Sequence, residues 1–173
     1  MEHEASIRLA LFLGIFGLIA LFERIAPRRP RPLLRRRWVT NWAIVLIDTL
    51  ALRAFAILLP VLAVTAAADA GLRGWGLLNI TDWPLWIQIG VTIIIMDFMV
   101  WLHHVINHKV PLFWRYHRVH HADVEMDVTT AIRFHPIEIF LSMFLKIAVV
   151  YALGAPVIGV ILFEILLNGS AMF

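Results

Sequence analysis

The chain contains no cysteine among its 173 residues. Disulfide bridges, iron–sulfur clusters and thiolate metal ligands are therefore excluded, and any bound metal must be held by nitrogen and oxygen atoms. By ligand type, such a site suits iron, manganese, zinc or copper(II), and its geometry must decide among them.

Sequence motifs for dinucleotide or haem binding are also absent, as are internal repeats and low-complexity tracts. If the chain takes part in redox chemistry, its electrons must therefore come from an external donor. The length of 173 residues and the lack of repeats predict a single domain.

Apolar side chains are abundant instead, since 61% of the residues are hydrophobic and the mean hydropathy is +0.84. Soluble domains contain about 45–50% apolar residues, so the composition predicts an all-α integral membrane protein with about four transmembrane or re-entrant helices. The hydrophobic pattern predicts a first membrane helix at 6–23, a basic cytosolic loop at 24–41, a second helix at 42–66, a third at 84–108, a cytosolic histidine-box segment at 109–137 and a membrane hairpin or fourth helix at 138–173.

Basic residues are concentrated in the first predicted loop. A basic loop between two membrane helices is typical of the cytoplasmic side and contacts lipid head groups. This distribution argues against nucleic acid as a partner, although the pI is near 10. Alternation of the spans then places the histidine-rich end of the third helix in the cytoplasm, and a bacterial inner membrane is favoured over the endoplasmic reticulum. The arginines of the loop are Arg24, Arg28, Arg29, Arg31, Arg35, Arg36 and Arg37.

Six of the eight histidines lie between positions 104 and 135. Residues three or four apart share one face of a helix, so two histidine faces can meet and offer five nitrogens, more than a tetrahedral zinc site uses. Neutral imidazole is the commonest metal ligand, and we favour a metal site over a surface of exposed histidines that senses pH or binds phosphate. The spacing is His104-x3-His108, then His117-x2-His120-His121, then His135.

Asp97 lies on the same stripe of the third predicted helix as Trp101, His104 and His108. A buried carboxylate at this depth requires a partner. Two interpretations stay open: Asp97 accepts the second ring N–H of a ligating histidine, which would orient that ligand, or it bonds a side chain on a neighbouring helix.

The remaining histidines differ in their settings. His135 precedes Pro136, which biases it out of helical conformation, and it is interpreted as a ligand, a neighbour of the ligands or a head-group contact. His103 is adjacent to His104 but about 100° around the helix, so it points elsewhere, and His3 near the N-terminus is predicted to be uninvolved. Four carboxylates beside basic residues are left out of the predicted ligand set because such residues are most often solvated: Asp123, Glu125, Asp127 and Glu138.

Residues 97–139 combine the two histidine clusters with the element Arg133-Phe134-His135-Pro136. In this combination the chain resembles the fatty acid hydroxylase/sterol desaturase superfamily of membrane histidine-box enzymes. The resemblance implies a non-haem di-iron centre; zinc is kept as an alternative occupant. It makes His104 and His108 the first histidine box, and His117, His120 and His121 the second.

The activity implied by this resemblance is oxidation of a lipid, fatty acid or sterol C–H bond. Such an oxidoreductase hydroxylates or desaturates its substrate with O2 and electrons from an external donor. The alternatives are a zinc- or manganese-dependent membrane hydrolase or metal transporter, and an inactive remnant. Members of the superfamily carry two further histidine boxes, whereas no histidine follows His135 here. We therefore expect the chain to be a truncated N-terminal portion of a longer enzyme.

Overall fold

Residues 2–27, 34–56 and 62–171 are described by the computed structural model, and within them the chain forms α-helices and no strand. The all-α class is as predicted. Short 3-10 turns lie at Leu77–Ile80 and Thr130–Ile132. The helices are α1 (Glu2–Ile25), α2 (Leu34–Ala56), α3 (Ala63–Arg73), α4 (Leu85–Lys109), α5 (Pro111–His121), α6 (Pro136–Leu153) and α7 (Val157–Ser170).

Two of the described helices, α4 and α6, are long and apolar enough to cross a membrane. The 25 residues of α4 span about 37 Å, which exceeds a hydrocarbon core of about 30 Å. Its bounds agree closely with the predicted third helix at 84–108. The shorter apolar helix α7 has 14 residues. Four membrane spans and a cytoplasmic histidine end remain predictions.

The first half of the chain differs in detail from the predicted segments. The first two turns of α2 occupy Leu34–Asn41, which was predicted as loop, while Arg28, Arg29 and Arg31 lie outside the described residues. The predicted helix at 42–66 is interrupted, because Leu62 is extended and a new helix begins at Ala63. The Thr65 hydroxyl accepts the Leu62 backbone N–H at 2.8 Å and so caps that helix.

The main core lies where α3, α4, α6 and α7 meet. Alanines line the buried face of α3, and their small side chains allow α6 and α7 to approach its backbone closely. The turn between α6 and α7 contains Gly154, whose φ of +68° is left-handed and whose Cα faces the backbone of Trp75. The fully buried large side chains of this core are Leu78, Met96, Val150, Val160 and Phe163.

A buried polar cluster joins α2 to the segment that follows α5. Arg37 donates from Nε and Nη2 to the two carboxylate oxygens of Asp123, at 2.6 and 2.8 Å, and from Nη1 to Asp127 at 3.1 Å and Glu125 at 3.3 Å. Asn41 donates to Asp123 at 3.0 Å. Because Asp123 is two residues after His121, this cluster fixes the chain directly beyond the second histidine cluster.

Candidate metal centre

A sharp bend between α4 and α5 brings the two histidine clusters together. Val110 ends α4 and precedes Pro111, the first residue of α5, with extended backbone angles (φ −95°, ψ 117°). Proline cannot continue a helix because it lacks the N–H and disfavours helical angles in the residue before it. The chain therefore turns back after His108, and α5 packs against α4.

Four histidines of these two helices converge on one point. His108 Nε2 lies 3.1 Å from His104 Nε2 and 3.3 Å from His117 Nε2, and His117 Nε2 lies 3.1 Å from His121 Nε2. One ring nitrogen from each of the four residues lies within 4.8 Å of all the others. His104 and His108 come from α4, and His117 and His121 from α5, each pair at i, i+4 spacing.

Three of the six nitrogen–nitrogen separations among these residues fit a single bound cation. Two nitrogens about 2.0–2.1 Å from one ion are roughly 2.9–3.4 Å apart when they subtend an angle between 90° and tetrahedral. The three measured nitrogen–nitrogen distances of 3.1 to 3.3 Å fall in that range. The donor set consists of imidazoles alone, which suits zinc, iron, copper or nickel better than calcium or magnesium.

Glu138 in the first turn of α6 orients one of the four rings. Its Oε1 lies 2.6 Å from His117 Nδ1 and also accepts from Asn107 Nδ2 at 3.4 Å. When Glu138 is a carboxylate, its Oε1 accepts the Nδ1 proton of His117, and the lone pair on His117 Nε2 then points to the other histidines. Asn107, His117 and Glu138 are all buried.

The surroundings of two of the four rings favour the neutral form that a metal requires. Removal from water, together with the neighbouring histidines, lowers the pKa of His117 from 6.5 to about 3. Burial and the proximity of His108 lower the pKa of His121 below its usual value as well. Both rings are therefore neutral near pH 7, and a neutral imidazole is the metal-binding form.

Trp114 lies against the four-histidine cluster. Its ring centroid is 5.2 Å from that of His108 and 5.7 Å from that of His121. Trp114 precedes His117 by three residues and so lies on the same face of α5. The indole thus restricts the rotation of two candidate ligands.

The structure places two other predicted ligands outside this cluster. His120 stacks on Phe134 with a centroid distance of 4.8 Å, although its ring is only 5.0 Å from His121. Its Nδ1 is buried without a hydrogen-bond partner in the described region. His135 caps α6 by accepting the Ile137 N–H at 3.2 Å and is not among the converging rings.

Asp97, predicted as the carboxylate that orients a ligand, is exposed on α4. Among the described residues it makes no hydrogen bond to a histidine, and Glu138 occupies that position beside His117 instead. The sequence offered one signal for Glu138, since it follows His135-Pro136 within the first turn of a predicted membrane segment. His103 is half-buried beside His104, and the side chain of His3 lies outside the described part of the chain.

Comparisons with known proteins agree with this geometry. The family model described as Fatty acid hydroxylase matches residues 89–172, just under half of the chain. The ornithine lipid hydroxylase OlsE of Rhizobium tropici is 31% identical over 75 residues, which cover 43% of this chain and 23% of that protein. No solved structure matches the chain significantly.

The family match includes most of α4, all of α5 and all four converging histidines. The resemblance that the histidine spacing indicated is thereby confirmed: residues 89–172 match the fatty acid hydroxylase family.

Proposed function

We propose that this chain supplies two histidine boxes to a membrane-bound non-haem iron oxidoreductase, and that this enzyme hydroxylates a lipid C–H bond with O2. The observation that carries this proposal is the convergence of four histidine nitrogens from α4 and α5 within 4.8 Å. The family match and the lipid hydroxylase relative support a hydroxylase over other metal chemistry.

His104, His108, His117 and His121 would hold one iron. Iron, when bound, supplies the one-electron and oxygen chemistry that side chains lack. A second ion, as in the di-iron centre that the resemblance implies, needs ligands beyond these four. His120 is suited to that role because its Nδ1 is buried and lacks a hydrogen-bond partner among the described residues.

A cavity of about 720 Å³ next to the centre is a suitable place for the lipid chain. His104 and Glu138 lie in its wall, so a molecule inside it would reach the metal site. From Glu138 to Lys146 the cavity follows one face of α6 for about 12 Å. Its volume is within the roughly 300–1,000 Å³ of small-molecule sites. The apolar lining includes Phe12, Leu52, Val100, Ile139, Met143 and Leu167.

The charge distribution supports a cytoplasmic position for the centre. Arg37, from the basic N-terminal end of α2, contacts Asp123 just beyond α5, so the basic residues and the histidines lie at the same end of the molecule. Basic residues favour the cytoplasmic side of membrane proteins. An electron donor on that side would then reach the centre, and a bacterial inner membrane is the proposed location.

The reaction balances with two electrons and two protons from that donor. One oxygen atom of O2 enters the new C–O bond of the lipid, and the other leaves as water. The desaturation alternative consumes the same O2 and electrons, forms two waters and removes two hydrogens from the lipid. The two products differ in mass, so lipid analysis distinguishes them.

The test is lipid mass spectrometry of a host that expresses the complete protein under 18O2. The wild type is expected to produce a lipid that has gained one labelled oxygen, and His117→Ala is expected not to produce it. His3→Ala is the matched control and is expected to leave the product unchanged. A cleaved lipid without label would indicate a zinc hydrolase, and a lipid that has lost two hydrogens would indicate a desaturase. No new product from the wild type would indicate an inactive protein. Each of these three results would contradict the proposal.

A further inference from the structure

A second concave site lies between the C-terminal end of α1 and the N-terminal part of α2. It is a groove of about 690 Å³, separate in its lining from the cavity beside the histidines. Arg24 in the last turn of α1 and Arg35 in the first turn of α2 lie at one end of it. Neither arginine pairs with a carboxylate in the described parts of the chain.

Three consecutive arginines on α2 have three different surroundings. Arg37 is buried among the carboxylates of the polar cluster, and Arg36 is exposed and does not line the groove. Arg35 is about 200° around the helix from Arg37 and faces the groove. The charge of Arg35 is therefore not neutralised by the cluster that neutralises Arg37.

The rest of the groove is apolar and follows the same stripe of α2. Val39 and Leu46 line it and are 66% and 59% exposed. Leu46 is eleven residues after Arg35, a rise of about 16 Å. The groove thus has a cationic end and an apolar wall whose length matches much of one acyl chain.

Aromatic rings form the contact between the two helices at this groove. Phe16 of α1 packs edge-on against Trp38 at 6.1 Å and Trp42 at 5.6 Å. Both indoles line the groove, and Trp38 Nε1 donates to Asp127 at 3.2 Å. Tryptophan is enriched at the membrane–water interface, so the depth of the groove fits a lipid head group at the arginines.

We propose that this groove binds one anionic phospholipid of the surrounding bilayer. The phosphate accepts hydrogen bonds from Arg24 and Arg35, since guanidinium groups match phosphate geometry, and one acyl chain lies along Val39 and Leu46. A zwitterionic lipid carries an added ammonium that these two cations disfavour. The site is distinct from the proposed oxidation centre and does not depend on its chemistry.

The test counts lipids on the detergent-extracted protein by native mass spectrometry, with phosphatidylglycerol or phosphatidylcholine added separately. The wild type is expected to retain more phosphatidylglycerol than phosphatidylcholine. Replacing both groove arginines in the variant Arg24→Gln/Arg35→Gln is expected to weaken phosphatidylglycerol binding about 25-fold, from about a factor of five for each cation. The matched control Arg36→Gln is expected to change it by about twofold or less.

Equal losses from Arg35→Gln and Arg36→Gln would overturn the proposal, because they would show diffuse surface charge rather than a site. Displacement of the lipid by inorganic phosphate alone would also overturn it. Ala43→Phe fills the groove from an exposed position and keeps both arginines. Weaker phosphatidylglycerol binding by this variant, at unchanged metal content, is expected, and unchanged lipid binding would contradict the assigned acyl path.

Discussion

Glu138 Oε1 lies 2.6 Å from Nδ1 of His117, and both side chains are buried. The contact joins the first turn of α6 to the middle of α5, and it directs Nε2 of His117 to the point where His104, His108 and His121 meet. A carboxylate that accepts the outer N–H of a ligating imidazole fixes the tautomer and the ring orientation. The affinity of the centre for metal should therefore depend on a residue that does not touch the ion.

Glu138→Gln is predicted to lower metal affinity about 10- to 100-fold, the usual effect of losing such a partner. Asp97→Asn is the matched control, since Asp97 is an exposed carboxylate on α4, and it should leave the affinity unchanged. Competition with a chelator of known affinity measures the metal affinity of both variants. A larger effect from Asp97→Asn than from Glu138→Gln would restore Asp97 to the role predicted from the sequence.

His121→Ala is predicted to remove most of the bound metal, because one of four converging donors is lost. His135→Ala should retain the metal, since the His135 ring caps α6 and contacts Tyr116 at 5.0 Å rather than the cluster. Elemental analysis of the purified variants gives the metal per chain. Loss of metal from His135→Ala at unchanged helical content would place this residue among the ligands.

Removal of the Arg37 side chain is predicted to destabilise the protein by about 3–5 kcal/mol, because it leaves buried carboxylates without their counter-ion. Arg36→Ala, one residue away and exposed, should change stability by about 0.5 kcal/mol or less. Thermal or denaturant unfolding in detergent compares the two. If the two variants had similar stabilities, the Arg37 cluster would contribute little to the free energy of unfolding.

The same cluster predicts an acid-dependent loss of stability. Burial alone would raise the pKa of Asp123, but hydrogen bonds from Arg37, Asn41 and Thr130 outweigh it and lower the pKa below 3.8. Because the folded-state pKa is below the unfolded one, the stabilisation is complete above about pH 4 and is lost as the pH falls through the folded-state pKa. The stability difference between wild type and Asp123→Asn should shrink over that acid range; a constant difference would argue against the ion pair.

Gly154→Ala is predicted to cost about 1–3 kcal/mol, because φ there is +68°. The added Cβ would also lie 2.5 Å from the carbonyl oxygen of Trp75 and 2.6 Å from Asn79 Nδ2. Gly90→Ala in α4 is the control, since its Cβ would meet nothing within 4 Å, and it should be neutral or slightly stabilising. Unfolding midpoints measure both, and equal midpoints would contradict the strained turn.

The sequence predicted the parts of the fold that depend on local pattern. Pro84 and the long apolar run that follows it indicated a helix at 84–108, and α4 occupies Leu85–Lys109. The break at Leu62 was not predicted because the predicted helix was drawn from hydropathy, which does not distinguish one helix from two in a continuous apolar stretch. Pro60, two residues before Leu62, was a signal that this prediction overlooked, since proline interrupts a helix. The Thr65 hydroxyl then caps the new helix.

The sequence predicted those features of the candidate site that follow from the spacing of residues along a helix. Spacing placed His104 with His108 and His117 with His121, but it left His120 equally close to the second pair. The position of the His120 ring outside the four-histidine cluster depends on Phe134, which lies 14 residues further along the chain and stacks on that ring. The choice of Glu138 over Asp97 likewise depends on how α6 packs against α5, which no local pattern reports.

X-ray absorption spectroscopy of the protein loaded with one equivalent of iron or zinc distinguishes a four-histidine site from other ligand sets. The spectrum is expected to show about four imidazole nitrogens at roughly 2.0–2.2 Å from the metal, and one nitrogen fewer in His121→Ala. A shell dominated by oxygen, or one with no more than two imidazoles in the wild type, would contradict a shared site of His104, His108, His117 and His121.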